Sequence, residues 1–155
     1  MRIGIGYDSH RFADNRRLVL GGVHVPHPQG LAGHSDADPV AHALTDALLG
    51  AAALGDIGQM FPPSDAQWRD ADSLQLLKTA YLAVVEAGFN VTNADITIIA
   101  ERPLLGPHID GMREKLSTVL VTGLSTVSVK AKTNEGMGWI GRGEGIAVIA
   151  VALLE

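Results

Sequence analysis

The sequence predicts an α+β fold, a two-layer arrangement in which helices pack on one face of a sheet. Stretches of β-branched and alternating apolar residues indicate strands at both ends and in the middle of the chain. Between them lie three segments whose apolar residues recur at helical spacing. No internal repeat, charge block or low-complexity linker divides the chain, so we expect one domain over residues 1–155.

The N-terminal elements are predicted from glycine and turn residues. Residues 2–10 alternate around glycines and indicate a first strand. Residues 17–25, interrupted by two glycines, are typical of a short hairpin. Residues 26–37 are rich in Pro, Gly, His and Asp, which predicts a loop.

The first helix has clear start and stop signals. Asp38 is a good N-cap, and Pro39 suits the first helical position because that N–H needs no partner. The Ala- and Leu-rich run that follows predicts a helix to about Leu54, which Gly55 would close.

Two further helices follow from apolar spacing. The pattern predicts one over about 72–87, ended by Gly88, and one from near Ile109 to near Gly123. Their apolar positions are Leu74, Leu77, Tyr81 and Val84 in the first, and Ile109, Met112, Leu116 and Val119 in the second.

The C-terminal strands predict association between copies of the chain. Residues 127–131 alternate, whereas 91–100 and 146–154 are apolar at nearly every position, which is typical of a sheet buried on both faces. Three helices are too few to cover both faces. We therefore expect an oligomer, with covering by a long loop as the alternative.

Composition excludes several classes of protein. The net charge of −5 argues against a nucleic-acid binder. The absence of cysteine excludes disulfides and thiolate metal sites and suits a reducing cytoplasm. We expect no signal peptide and no membrane span, because the longest apolar run is far below about 20 residues.

A metal site is predicted from residues near two element ends. Asp8 and His10 share one side of a strand, since residues i and i+2 point the same way. His42 lies one turn into the first helix, and two histidines with one carboxylate are typical of catalytic zinc. Asp46, one turn later, would orient the His42 imidazole. Spacing alone leaves open that the pattern is accidental.

Three motifs suggest phosphate binding. His34 and Ser35 precede the first helix, whose N-terminal N–H groups attract anions, although the segment equally suits a plain turn. Residues 130–135 combine cations, a hydroxyl and a carboxylate, and 141–145 place glycine at alternate positions. Each of these two motifs by itself is more often a solvated turn.

Taken together, these motifs resemble the 2-C-methyl-D-erythritol 2,4-cyclodiphosphate synthases of the non-mevalonate isoprenoid pathway. The resemblance covers essentially the whole chain. Its most specific segments, in order, are residues 6–10, 34–38, 42–50, 55–58, 61–62, 95–100, 130–135 and 141–145.

The resemblance implies a reaction and its metals. The substrate would be 4-diphosphocytidyl-2-C-methyl-D-erythritol 2-phosphate, whose 2-phosphate attacks the β-phosphorus and releases CMP. Zinc would be held by Asp8, His10 and His42, and a second divalent ion, Mg²⁺ or Mn²⁺, would have Glu135 as its one protein ligand. His34 and Thr133 would stabilise the transition state. Such intramolecular phosphoryl transfer depends on positioning and charge neutralisation.

The resemblance also implies substrate contacts and an assembly. Residues 100–106 would hold cytosine, and this loop together with 132–135 would come from the neighbouring subunit of a homotrimer whose sheets face the three-fold axis. Arg142 and Glu144 would lie near that axis, beside an apolar cavity that can hold an isoprenoid diphosphate. The implied substrate-binding residues are Ser35, Asp56, Ile57, Gly58, Phe61, Asp65, Ala100, Glu101, Arg102, Pro103, Leu104, Leu105, Gly106, Lys132, Asn134, Trp139 and Arg142.

Two other functions remain open at this point. One is a zinc hydrolase of phosphate esters, for which Asp46 or Asp56 would serve as general base. The other is a non-enzymatic trimer that senses isoprenoid diphosphates, which would not need Asp8, His10 and His42.

Overall fold

Residues 1–68 and 71–155 are described by a computed structural model, and in them the chain forms seven strands and five α-helices. The strands are β1 (Arg2–Ala13), β2 (Leu18–Leu20), β3 (Val23–Val25), β4 (Gly30–Leu31), β5 (Val91–Ile99), β6 (Val127–Lys132) and β7 (Gly145–Leu154). The helices are α1 (Pro39–Ala52), α2 (Ile57–Met60), α3 (Ser73–Glu86), α4 (Ile109–Val119) and α5 (Gly138–Gly141).

Five strands form one mixed sheet in the order β4-β1-β7-β5-β6. β1 and β7 pair antiparallel along ten positions, from Arg2 opposite Leu154 to Arg11 opposite Gly145. β5 is antiparallel to β7 and parallel to β6, so the carboxyl ends of β5 and β6 meet at one edge. β2 and β3 form the predicted separate hairpin.

Helix α1 lies directly on strand β1 because two glycines permit the approach. A Cβ atom added at Gly4 would stand 2.0 Å from the carbonyl oxygen of Ala47, and one at Gly6 would stand 1.9 Å from that of Ala43. Such distances are far below van der Waals contact, so no other residue fits at these two positions. This close contact brings the first turns of α1 to the far end of β1.

The core lies between the helices and the inner face of the sheet. α1 contributes fully buried residues such as Leu44 and Leu48, and the sheet contributes Ile96, Ile98 and Val148. Complete burial of each such side chain stabilises the fold by about 1.5–3 kcal/mol. The predicted arrangement of helices on one face of a sheet is thus confirmed.

The opposite face of the sheet is open along β1 and β7. Ile3, Ile5 and Tyr7 are 73%, 70% and 56% exposed, and Ile149 is 37% exposed. Among residues 1–68 and 71–155, no loop covers these side chains, so the alternative of a covering loop is wrong for the described chain. The apolar character of these strands therefore leaves an uncovered surface on the single chain.

The predicted order of strands and helices is confirmed, with differences at the ends. α1 ends at Ala52, earlier than predicted, because Ala53 takes the left-handed conformation at φ 60°. The predicted loop at 26–37 contains the two-residue strand β4. α2 and α5 were not predicted, since four residues are too few to show helical periodicity. No helix in the described part of the chain has the length and apolar character needed to cross a membrane.

Candidate metal centre and catalytic cleft

Strand β1 and helix α1 bring the three predicted metal ligands together. The side chains of β1 alternate, so Asp8 and His10 lie on the same side as Gly4 and Gly6, which face α1. His42 lies in the first turn of that helix. The period-2 argument is therefore confirmed, and packing of α1 on β1 supplies the third side chain.

The geometry of the triad suits a small divalent cation. Asp8 Oδ2 lies 3.0 Å from His10 Nε2 and 3.0 Å from His42 Nδ1, and one ligand atom from each residue lies within 4.8 Å of the others. A tetrahedral site with metal–ligand bonds of about 2.0–2.1 Å spaces its ligand atoms about 3.3–3.4 Å apart. Three protein ligands leave a fourth position for a substrate oxygen.

Charge interactions within the triad are strong. Burial raises the pKa of Asp8, but hydrogen bonds and charge from His10 and His42 outweigh it and hold that pKa well below its usual range. Burial lowers the pKa of His10, but the Asp8 carboxylate and the Ala32 carbonyl outweigh it and raise that pKa above 6.5. Positive charge is therefore favoured beside Asp8, as a cation site requires.

His10 is oriented by the backbone. Its Nδ1 lies 2.5 Å from the carbonyl oxygen of Ala32. A carbonyl only accepts hydrogen bonds, so Nδ1 carries a proton. Nε2 then either carries a second proton, which it donates to Asp8, or uses its lone pair to ligate a metal.

His42 is oriented by serines, and the predicted role of Asp46 is wrong. His42 Nε2 lies 2.9 Å from Ser73 Oγ and 3.2 Å from Ser35 Oγ. Asp46 Oδ1 instead accepts the backbone N–H of Ile57 at 2.8 Å and so holds the start of α2. The sequence prediction missed Ser73, because it lies 31 positions from His42 and no local spacing links the two.

A cleft of about 340 Å³ opens beside the triad. Phe61 and Trp68 meet edge to face at 5.0 Å between ring centroids, which gives it an apolar wall. Predicted residues that line it are Asp8, His10, His34, Ser35, His42, Ile57, Gly58, Phe61 and Asp65. The other lining residues are Gly33, Pro63, Ser64, Ala66, Trp68 and Leu76.

The N-terminus of α1 is not open to an anion, which favours the alternative of a capped turn. The buried Asp38 carboxylate accepts the N–H groups of Val40 and Ala41 at 3.0 and 3.2 Å, and Pro39 has no N–H. Asp38 also accepts from the two glycines of the β2–β3 turn. Anion binding in the cleft must therefore use side chains or other backbone groups.

His34 is exposed at the edge of the cleft, and its loop is held by an arginine. The Arg16 guanidinium donates to the carbonyl oxygens of Gly33 at 3.0 Å and Ser35 at 2.5 Å. These two carbonyls flank His34. Its backbone is thereby fixed while its imidazole remains accessible.

A second recess, of about 290 Å³, lies where β5 and β6 end. Predicted residues lining it are Ala100, Glu101, Pro103, Leu104, Leu105, Gly106, Lys132 and Thr133. The Glu101 carboxylate accepts the N–H groups of Asn134 and Gly136 at 2.8 and 3.1 Å. Thr133 Oγ1 donates to Glu135 Oε1 at 3.0 Å. Within the described ranges, no residue lines both this recess and the cleft.

The remaining predicted residues lie outside these two cavities. Asp56 caps α2 by accepting the N–H of Gln59 at 2.8 Å. Trp139 borders a third recess that it shares with Glu144. Arg142 donates to that glutamate at 2.6 Å. Arg102 lines neither the cleft nor the second recess.

Comparison with known proteins gives one consistent result. The model of the YgbB family matches residues 1–155. A protein of Moorella thermoacetica named 2-C-methyl-D-erythritol 2,4-cyclodiphosphate synthase is 57% identical over 154 residues, which are 99% of this chain and 94% of that protein. One of the same name from Syntrophomonas wolfei is 56% identical over all of this chain and 99% of its own length.

Solved structures agree. The bifunctional IspDF of Campylobacter jejuni superposes with a TM-score of 0.95 at 44% identity, over 99% of this chain and 42% of that one. A 2C-methyl-D-erythritol-2,4-cyclodiphosphate synthase in its CDP-bound form superposes with a TM-score of 0.91 at 39% identity, over 99% of this chain and all of the other.

Proposed function

The chain belongs to the YgbB family and forms 2-C-methyl-D-erythritol 2,4-cyclodiphosphate in isoprenoid biosynthesis, and we propose that it does so with zinc held by Asp8, His10 and His42. The observation that carries the metal proposal is the pair of 3.0 Å distances from one carboxylate oxygen to two imidazole nitrogens at a cleft wall.

The reaction is an intramolecular phosphoryl transfer. The 2-phosphate of 4-diphosphocytidyl-2-C-methyl-D-erythritol 2-phosphate attacks the β-phosphorus and forms a new P–O bond. The P–O bond between the β-phosphorus and the bridging oxygen breaks, and CMP leaves with that electron pair. No water enters the product, so a cleft that keeps water from the β-phosphorus favours ring closure over hydrolysis.

Zinc is the cation that the donor set favours. Two imidazoles and one carboxylate form a typical three-ligand catalytic zinc site, and the chain has no thiolate to offer. When bound, zinc would polarise the β-phosphate and offset its developing charge. Asp8, His10 and His42 hold the ligand atoms ready for it on two rigid elements.

The second divalent ion is assigned to Glu135. Mg²⁺ and Mn²⁺ prefer oxygen ligands, and Mg²⁺ commonly binds through one carboxylate together with substrate phosphates. Glu135 is exposed, and Thr133 occupies one of its two oxygens. This leaves the other oxygen available for a cation beside the diphosphate.

Two side chains would donate to the phosphoryl oxygens. His34 stands exposed at the triad cleft, and Thr133 stands in the second recess. Loss of one such donor typically lowers the rate by about 10²–10³. The apolar wall of the cleft would hold the methylerythritol together with residues 56–58, of which Ile57 and Gly58 line the cleft. The loop 100–106 at the second recess would hold cytosine, with Lys132 and Asn134 beside it.

The complete site is proposed to lie between subunits of a homotrimer of this one-domain chain. On one chain the triad lines the cleft and Thr133 lines the separate second recess. This supports a shared site, because one substrate must contact both the triad and Thr133. The open apolar face at Ile3, Ile5 and Tyr7 supports it too, since a large exposed apolar patch marks an interface. Arg142 and Glu144 would lie near the three-fold axis, beside an apolar cavity that would hold an isoprenoid diphosphate, and Trp139 would contact the substrate. The absence of cysteine suits a cytoplasmic location.

The structure gives the two bases considered for a phosphate-ester hydrolase another role. Asp46 Oδ1 accepts the Ile57 N–H, and both oxygens of Asp56 accept from Gln59. Both carboxylates hold the start of α2, which favours ring closure over the hydrolase alternative.

The test is a product assay with the cytidyl substrate in the presence of Mg²⁺, before removal of zinc by a chelator, after its removal, and after zinc is returned. We expect CMP and the cyclic diphosphate in equal amounts, loss of both on chelation, and recovery with zinc. CMP with a linear phosphate product would contradict ring closure. Activity that survives complete removal of metal would contradict the metal assignment.

A further inference from the structure

The imidazole of His42 is held from the side away from Asp8 by a buried hydroxyl. Ser73 is fully buried and is the first residue of α3, and its Oγ lies 2.9 Å from His42 Nε2. Ser35, also buried, lies 3.2 Å from the same nitrogen. A helix that contributes no metal ligand thus touches the triad through its first side chain.

The proton of the Ser73 hydroxyl is already committed. Ser73 Oγ donates to Asp36 Oδ1, and the Ser73 N–H donates to Asp36 Oδ2 at 3.2 Å. A carboxylate can only accept, and a hydroxyl has a single proton. Ser73 Oγ therefore has only lone pairs to offer to His42.

The shorter of the two serine contacts favours one state of the imidazole, because Ser35 can donate its own proton to Ser73 Oγ at 3.3 Å. A lone pair of Ser73 faces Nε2 of His42, so that nitrogen must carry a proton for the 2.9 Å contact to be a hydrogen bond. The Nδ1 lone pair is thereby directed to the side of Asp8. The same logic applies to His10, whose Nδ1 donates to a carbonyl.

We infer that Asp36 and Ser73 are positioning residues that act as a relay, setting the tautomer and the ring orientation in which His42 ligates a metal. The inference rests on the proposed metal role of His42 and deepens it. Neither residue needs to touch the substrate. A carboxylate acting through a hydroxyl on an imidazole also raises the basicity of the ligating nitrogen.

The start of α3 places Ser73 where the relay needs it. Ser73 is placed by the N-cap Asp72, whose side chain accepts the Leu74 N–H at 2.8 Å. The two carboxylate oxygens of Asp36 accept hydrogen bonds from the backbone N–H and the hydroxyl of Ser73. The start of α3 and the loop before α1 are thus joined at His42, 31 positions away from Ser73.

The first measurement is the zinc dissociation constant by competition with a chelator. Ser73→Ala and Asp36→Ala should each weaken zinc binding by about 10- to 100-fold, the usual effect of losing an outer partner of a metal ligand. Because both residues act through one contact, the double variant should bind no more weakly than Ser73→Ala alone. Effects that multiply would overturn the relay.

A matched control separates the relay from loosening of α3. Asp72→Ala removes the helix cap without removing any contact to His42. It should retain wild-type zinc affinity. Equal weakening by Asp72→Ala and Ser73→Ala would overturn the relay in favour of a general effect of the helix end.

The second measurement reads the tautomer directly and is independent of activity. In the zinc-loaded wild type, ¹⁵N NMR should show His42 with a proton on Nε2 that exchanges slowly with water. In Ser73→Ala this exchange should accelerate, with circular dichroism unchanged. A zinc-loaded wild type in which Nε2 of His42 carries no proton would overturn the assignment.

Zinc binding by the wild type and by Ser73→Ala distinguishes an error in the relay from an error in the proposed metal site. Zinc binding by the wild type together with unchanged affinity in Ser73→Ala overturns the relay alone. A wild type that binds no zinc, or binds it equally well as His42→Ala, overturns the proposed metal site and the relay with it.

Discussion

Asp8 Oδ2 lies 3.0 Å from His42 Nδ1, although 34 positions of the chain separate the two residues. The contact exists because β1 and α1 touch at two glycines, so that a strand end and a helix start meet. One carboxylate oxygen between two imidazole nitrogens attracts positive charge, either a proton on an imidazole or a metal ion. The first three predictions below depend on this relationship.

His42→Ala should remove zinc and lower activity by more than about 100-fold, beyond the range for an outer partner of a ligand. The fold should survive, because alanine is the best helix former and α1 remains intact. Metal analysis and circular dichroism check this. His27→Ala, a histidine outside the triad, is the matched control and should keep its zinc. Stoichiometric zinc in His42→Ala would remove that residue from the site.

The metal-free protein should lose stability as the pH rises above about 6.5, while zinc affinity should rise. The pKa of His10 is raised above 6.5 in the folded state. Between the two values the native state binds more protons than the unfolded state, so the stabilisation is complete below 6.5 and is lost as pH passes through the raised pKa. Zinc competes with that proton. Urea unfolding and zinc titration from pH 6 to 9 measure both, and His10→Gln should flatten the stability profile.

Gly6→Ala should destabilise the fold and separate Asp8 from His42. The new Cβ would stand 1.9 Å from the Ala43 carbonyl oxygen, so α1 must move off β1. We expect the free energy of unfolding to fall by about 1–3 kcal/mol and zinc to bind more weakly. Gly50→Ala is the matched control, since nothing lies within 4 Å of its Cβ. That change inside α1 should stabilise by about 0.5–1 kcal/mol. A Gly6→Ala protein as stable as wild type would contradict the close packing.

Glu135→Gln should raise the concentration of Mg²⁺ or Mn²⁺ needed for half-maximal activity and leave zinc affinity unchanged. An amide lacks the charge that a hard divalent cation prefers. Titration of each metal into the chelated enzyme measures the two separately. Glu114→Gln, an exposed glutamate on α4, serves as the control. An unchanged Mg²⁺ titration would take Glu135 out of the second site.

Mixing two inactive variants should restore activity if each site is shared between subunits. His42→Ala removes a metal ligand from the triad, and Thr133→Ala removes the hydrogen-bond donor in the second recess. In randomly mixed trimers, a site with an intact triad and an intact neighbouring Thr133 forms with a probability of about one quarter. We expect about a quarter of wild-type activity after subunits are exchanged. Activity no higher than that of the separate variants would indicate that both halves act within one chain.

The sequence alone determined the longer strands and helices and the three candidate metal ligands. Asp8 and His10 follow from the period of a strand, and the start of α1 follows from Asp38 and Pro39, because both signals extend over a few adjacent residues. The motifs in their order also indicated the family and the reaction. Spacing within an element is a local property, so it can be read without the fold.

Only the tertiary structure decided what each group contacts. Asp46 was expected at His42 but holds Ile57, and the partner of His42 is Ser73, from a helix whose start is 31 positions away. The sequence left open whether the N-terminus of α1 takes an anion or forms a plain turn, and the structure shows that the Asp38 carboxylate occupies it and joins it to the β2–β3 turn. These contacts arise from packing between distant segments, and the spacing of residues along a chain carries no record of which segments pack together.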